Sequence, residues 1–492
     1  EESPANLGLN FAIGDQWKVL GRRGGFVFTT DYGSKWKGTK RDITIYNVGG
    51  DGELSFMHGY DLEQLVREVS LSAFLSGGLE WEDDSVSLTS MVVRSTDDMA
   101  RQYEGYNGDL GDDIRVRRIR WVERMLVSNQ LVGSHTIKDW HKLKLDWGYG
   151  VSLASRLEPD RVETRQDREG ATDAWFLSDR PEGNQRVFSD LQDWVHSGRF
   201  DFELPYDQWA GEESKLKWGF SAYGKMREVD TRRYKFGDRG PLSSDETIAQ
   251  MDPADIFVPE HIGVDGYQLT EVTLSTDSFT ADHVILSGYL MTELPITNEV
   301  TLIAGLRMEG SEQVLETFKP FSPTLEKERA DLTTYDVLPS FLLQYQLNPK
   351  MVLRGGYGRT ISRPNFRELS PAVSIDLTGG RLRFGNPELD RAFIDSGDIS
   401  WQWYLEAGEV VSVGAFYKYF TKPIETVVIP SAQLSVSYAN AESAVNYGVE
   451  FDFRKNFSFI DVALRDLFLG GNVAWIQSNV NLSAEASTNT SK

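Results

Sequence analysis

The chain has 492 residues with 13 Trp, 19 Tyr, 26 Phe and 44 Gly, no Cys, and a formal net charge of −23. That charge argues against a nucleic-acid partner, which needs clustered Lys and Arg to meet phosphates, and the lack of Cys excludes thiolate metal clusters and a disulfide framework. There is no apolar run of about 18 residues, which excludes a transmembrane helix but leaves open a membrane strand, since a barrel crosses the bilayer in about 9–11 residues per strand.

Taken from the N-terminus, the dominant pattern has a period of two. Val69, Leu71, Ala73 and Leu75 alternate with polar or small residues. The polar stretch 97–113 then reads as a long connection. Within it Asn107, Asp109, Asp112 and Asp113 are the oxygen ligands that calcium takes from flexible loops, although such residues suit any solvated turn. Leu143, Leu145, Trp147, Tyr149, Val151 and Leu153 alternate with Lys142, Lys144, Asp146, Gly148, Gly150 and Ser152. A second long polar connection, 158–186, follows. Leu216, Trp218, Phe220 and Ala222 alternate with Lys215, Lys217, Gly219 and Ser221, and Lys225 and Arg227 continue that charged row. After a third long connection, 232–266, the alternation resumes at Val300–Met308 and again at Val337–Leu347, with a polar stretch, 311–333, between them. The connection 362–391 and the strand before it carry Arg359, Arg363, Arg367, Arg381 and Arg383. Guanidinium forks at such a place can grip an anionic substrate or lipopolysaccharide phosphate, or they can pair with the local acids Glu368, Asp376 and Glu388. Tyr447, Val449, Phe451 and Phe453 alternate with Gly448, Glu450, Asp452 and Arg454, and the sequence runs out in a polar Ser/Thr/Asn tail.

Successive strand residues point to opposite faces, so each segment has one apolar face and one polar, small-residue face. The runs exceed the usual globular strand of about 5–6 residues. Short turns near 82–84, 138–139, 295–298, 348–349 and 407–408 alternate with the long connections. Trp and Tyr gather near strand ends, as at a membrane interface. Together these predict an all-β, antiparallel transmembrane β-barrel with long extracellular loops and short periplasmic turns. About 18 strands fit between Leu7 and Val480. Leu145, Trp147, Tyr149, Val151, Leu216, Trp218, Phe341, Leu343, Phe451 and Phe453 then face lipid. Lys144, Asp146, Lys215, Lys217, Gln344, Glu450 and Asp452 face the lumen. The six His have no metal-ligand spacing, and no nucleophile, phosphate-cradling or cofactor-binding motif is present. The pattern is that of a non-enzyme without a cofactor.

Several stretches resemble TonB-dependent receptors. They are Arg120–Arg124, Gln130–His135, Leu145–Trp147 and Glu158–Arg161, then Arg359–Pro371 (RTISRPNFRELSP), Gly385–Leu389, Gly414–Lys418 with Pro423–Glu425, and Asn446–Glu450. The resemblance implies a 22-stranded barrel in the bacterial outer membrane, crossing it many times amid lipid and lipopolysaccharide. The barrel would be filled by a plug and driven by TonB and its inner-membrane motor to import an unknown small-molecule or peptide substrate. Residues 1–492 are then one barrel domain with about 18 of 22 strands, its plug and last strands lying elsewhere on a longer polypeptide. The first and last strands should leave a gap between them. A plugless pore or a structural barrel subunit of an envelope complex is the alternative, and a soluble β-rich binding protein a third.

Overall fold

The computed structural model describes residues 4–19, 21–48, 53–170, 174–180, 183–209, 211–238, 240–318, 326–372, 382–406, 408–429 and 435–482. Its strands are β1 (Leu7–Val19), β2 (Arg22–Val48), β3 (Leu54–Trp81), β4 (Asp84–Asn107), β5 (Asp112–Ile137), β6 (Leu143–Glu169) and β7 (Ala174–Leu177). They continue as β8 (Gln185–Asp207), β9 (Glu213–Asp238), β10 (Tyr267–Glu271), β11 (Phe279–Pro295), β12 (Val300–Phe318), β13 (Lys327–Asn348) and β14 (Met351–Ser362). The last are β15 (Leu382–Arg383), β16 (Ala392–Tyr404), β17 (Val410–Thr421), β18 (Ile424–Ile429), β19 (Ser435–Asn440), β20 (Ser443–Asn456) and β21 (Phe468–Asn481). No helix among the described residues is long and apolar enough to cross a membrane.

Eighteen of these strands form one antiparallel sheet, while β15, β18 and β19 make a separate small one. Two of the eighteen, β7 and β10, are short and pair with the far ends of β6 and β9. The other sixteen are wall strands of 12 to 28 residues. Each pairs with the next wall strand along the chain, the up-and-down order expected of a barrel. Pairing in sequence order keeps every ladder local, and the aromatic and β-branched content of the strands suits a pleated surface.

The wall strands run further than the alternation suggested. The stretch 97–113 is strand almost throughout, with only the turn Gly108–Gly111 between β4 and β5. Likewise β6 continues to Glu169, β9 to Asp238 and β12 to Phe318, so the long connections are shorter than expected. The reason lies in the faces. Below this level the apolar side of β3 carries Val69, Leu71 and Leu75; beyond it the opposite side takes the buried apolar residues Tyr60, Leu62, Tyr103, Ile114 and Val116. The polarity of the two faces reverses along β3, β4 and β5, and a period-two signal is lost where it changes phase.

Among the described residues both ends of the sheet lack a further partner strand. β1 pairs with β2 alone and β21 with β20 alone, and among the described residues no ladder joins β1 to β21. Every residue of β21 is exposed.

At the short-turn end Trp147 lies across Gly133 of the neighbouring strand, so close that a Cβ there would sit 2.5 Å from the ring. Only glycine permits this approach. Trp147 Nε1 donates to His135 Nε2 at 3.0 Å, which leaves the proton of His135 on Nδ1, 2.9 Å from Asp84. His135 is thus a turn-side anchor.

Candidate functional site

In an antiparallel pair, residues directly opposite one another share a face, so the register traces each face across the molecule. One row runs Leu145, Phe202, Trp218, Leu290, Leu306 and Pro339 over six consecutive wall strands. Phe202 and Trp218 stack in it at 5.3 Å. Another runs Val300, Tyr345, Leu353, Trp401, Val413, Phe451 and Val473. One residue along, the matching row is Lys144, Glu203, Lys217, Met291 and Gly305. Its continuation is Thr301, Gln344, Arg354, Ser400, Gly414 and Glu450. Lys144, Asp146, Lys215, Lys217, Gln344, Glu450 and Asp452 therefore share one face, and the ten residues expected toward lipid share the other.

The charged face is cross-linked by its own side chains. Lys217 meets Glu203 at 2.8 Å and Lys144 meets Asp146 at 2.9 Å. Tyr289 donates to Asp201 at 2.9 Å, and Arg354 donates to Gln344 at 3.0 Å. Such pairs are individually weak when wet, but as a network they hold a polar wall in one arrangement.

Higher on this face a segment of the chain folds back onto the sheet. After β14 the turn Pro364–Asn365 leads into a short helix, Phe366–Leu369, capped by Asn365, whose side chain accepts from the Arg367 and Glu368 amides. Phe366 and Leu369 bury against Ala281, Leu315, Ala330 and Leu389. Lys225 and Arg227 lie over the Phe366 ring at 5.5 and 5.6 Å, a cation–π arrangement. Two basic residues pin the segment at its ends. Arg363 donates to Glu309 at 3.0 Å and to Asp336 at 3.2 Å, and Arg391 donates to Asp336 at 2.7 Å. Asp336 has no exposed side-chain surface. The motif RTISRPNFREL is thus the code for an in-folded connection: Pro364 and Asn365 stop the strand, and Phe366 and Leu369 insert.

Of the five arginines offered as one anion site, Arg359 and Arg363 are held by different acids. Arg359 is on the opposite face of β14, held bidentately by Asp395 at 2.8 and 3.0 Å. Arg363 belongs to the Asp336 cluster. Arg367 is exposed on the short helix and Arg383 on β15. Arg381 lies outside the described residues, as does Asp376. The pairing with local acids also needs correction: Arg359 and Arg363 use Asp395, Glu309 and Asp336, all on other strands, while Glu368 accepts from the Asn365 amide. A strand reversal brings distant acids closer than sequence neighbours.

Three of the four calcium candidates are engaged by protein groups, and the fourth, Asp109, lies 3.9 Å from His58. Asn107 Oδ1 accepts from the Asp109 and Leu110 amides, and its Nδ2 donates to Tyr60. Arg168 reaches Asp112 at 3.2 Å and Asp113 at 2.8 Å. Among the described residues no group of three or more His, Asp or Glu is arranged to hold a metal ion. Glu309, Asp336 and Arg391 organise the in-folded segment and carry no local sequence signal; only the register of β12 and β13 brings the two acids together. Beyond β9, Arg117 and the Ala254 amide hold the Asp252 carboxyl below its usual range at a helix start in the connection to β11.

Residues 5–492 match the family model described as "TonB dependent receptor-like, beta-barrel". The chain belongs to this family. No curated protein matches it by sequence. Among solved structures, the siderophore receptor PiuA from Acinetobacter baumannii is 10% identical, with a TM-score of 0.54 over 99% of this chain and 67% of its own. The copper transporter OprC is 13% identical, with a TM-score of 0.50 over 98% of this chain and 62% of its own. The alcaligin outer-membrane receptor FauA from Bordetella pertussis is 12% identical, with a TM-score of 0.46 over 99% of this chain. At such identities the likeness shows the fold alone. This receptor barrel spans 63% of FauA and 62% of OprC, less than two thirds of either.

Proposed function

We propose that this receptor barrel is the wall of a bacterial outer-membrane importer. In this reading the apolar face meets lipid and the charged face lines the lumen. TonB and its inner-membrane motor power uptake of a scarce small-molecule or peptide nutrient through a plug. The observation that carries the reading is the continuity of two opposed faces across the wall strands. A soluble sheet of this size would need a second layer over its apolar side; here large apolar residues stand exposed along it, among them Leu71, Leu75, Phe220, Leu286 and Phe341. Family membership supports the same reading.

The open edges add a condition. In hydrocarbon each unpaired backbone group costs several kcal/mol, so we take further strands, from the same polypeptide or another, to cover β1 and β21.

The test is transport by the full protein in its native membrane, with labelled metal chelates, cofactors and short peptides offered in turn. Uptake of the true substrate should fall to background when TonB is deleted and return when it is restored. Uptake indifferent to TonB would point instead to an open pore.

A further inference from the structure

The charged face holds a second feature, on β4, β5 and β6 toward the ends away from the short turns. Three pairs of arginines stand directly opposite one another there: Arg101 with Arg118, Arg120 with Arg161, and Arg124 with Arg156. Like charges in this relation destabilise a sheet. The carboxylates set among them are Asp97, which takes Arg124 at 2.5 Å, Glu158, which takes Arg156 at 2.8 Å and lies 3.9 Å from Arg161, and Glu163, which takes Arg118. Even with Arg101 left aside, the other five guanidiniums share three carboxylates, on a chain whose net charge is −23. The place is not an ordinary wet surface. Arg118, Glu158 and Glu163 are buried, and Arg120 Nε is buried without a hydrogen-bond partner. Charge of one sign gathered at a buried site is costly unless something of the other sign meets it.

We propose that this arginine ladder binds a polyanionic solute, one bearing several carboxylate or phosphate groups, on its way through the barrel. Guanidinium forks grip such oxygens in pairs. The ladder extends from Arg118 to Arg124 along β5, about 20 Å at the usual rise per residue, enough to engage more than one anionic group. The inference rests on the charged face being the lumen. The competing occupant is an acidic segment of the same polypeptide seated on the ladder, which would leave no room for a solute.

The experiment uses the full-length protein in detergent, with citrate and pyrophosphate as probes and mannitol as the uncharged control. The wild type should bind at least one polyanion with an affinity that falls as salt rises, and should ignore mannitol. The double variant Arg120→Gln/Arg161→Gln should lose about tenfold or more in affinity, as removal of charge-assisted hydrogen bonds implies. Arg120→Lys/Arg161→Lys should recover part of it. Without anion, the Gln variant should melt no lower than the wild type, because it removes a repulsive pair; a purely structural role predicts a lower Tm. No polyanion binding by the wild type, or equal binding by the Gln variant, would overturn the proposal. TonB-dependent uptake of an uncharged nutrient without anion binding would sink the ladder and leave the transport reading standing. Anion binding lost in the Gln variant of a barrel that shows no TonB-dependent uptake would do the reverse.

Discussion

Phe341→Arg is expected to destabilise the barrel by about 2–4 kcal/mol in lipid, and Ser340→Arg, one residue away, by less than about 1 kcal/mol. The two positions have the same depth in β13 and opposite faces. Phe341 is exposed and its ring lies 5.5 Å from that of Tyr357, tilted by 31°. Ser340 lies between Gly305 and Gly358, which leave room for a long side chain on the charged face. An arginine at Phe341 must drag its charge into hydrocarbon or thin the bilayer around it, whereas at Ser340 it reaches water. Reversible urea unfolding from liposomes measures both. Equal costs would mean that both faces meet the same medium, and the membrane assignment would fail.

Asp336→Ala is expected to cost about 3–5 kcal/mol, the usual penalty for removing one partner of a buried ion pair. The carboxylate is fully enclosed and takes both Arg363 and Arg391, the two ends of the in-folded segment. Its loss leaves two guanidiniums facing each other with only Glu309 and Asp390 to share. The short helix Phe366–Leu369 should then lift from the sheet and become a protease site, with the remaining wall intact. Urea unfolding gives the energy and limited proteolysis the place. Stability within about 1 kcal/mol of wild type would show that the apolar contacts of Phe366 and Leu369 hold the segment unaided.

Much of the fold was legible because a strand with one apolar and one polar face imposes a simple rule on sequence. Where a strand keeps one apolar and one polar face, residues such as Leu216 to Ala222 alternate without exception, and register and face follow from parity. The rule lapses beyond that zone. At Tyr60, Tyr103 and Ile114 apolar residues switch to the other face, so 97–113 looked like a loop although it is strand. Arg359 and Arg363, close in sequence, are taken by acids on different strands, Asp395 for the one and Glu309 and Asp336 for the other. Conversely, Arg101, Arg120 and Arg161 are far apart along the chain, and only the pairing of three strands reveals them as neighbours. The turn residues Asn107 and Asp112 carry a composition common to calcium loops and plain turns, and the difference lies in where Arg168 reaches.

The most direct measurement of the central claim uses the absence of cysteine from this chain. Single cysteines placed in turn from Leu216 to Ser221 of the full protein, reconstituted in liposomes, report the medium at six consecutive positions. Positions 217, 219 and 221 should react with a water-soluble, membrane-impermeant maleimide. Positions 216, 218 and 220 should resist it, and a fluorophore attached to them in detergent should be quenched by brominated lipid after reconstitution. Uniform reactivity along the six, or quenching at the odd positions instead of the even ones, would contradict the assignment of the charged face to the lumen and the apolar face to lipid.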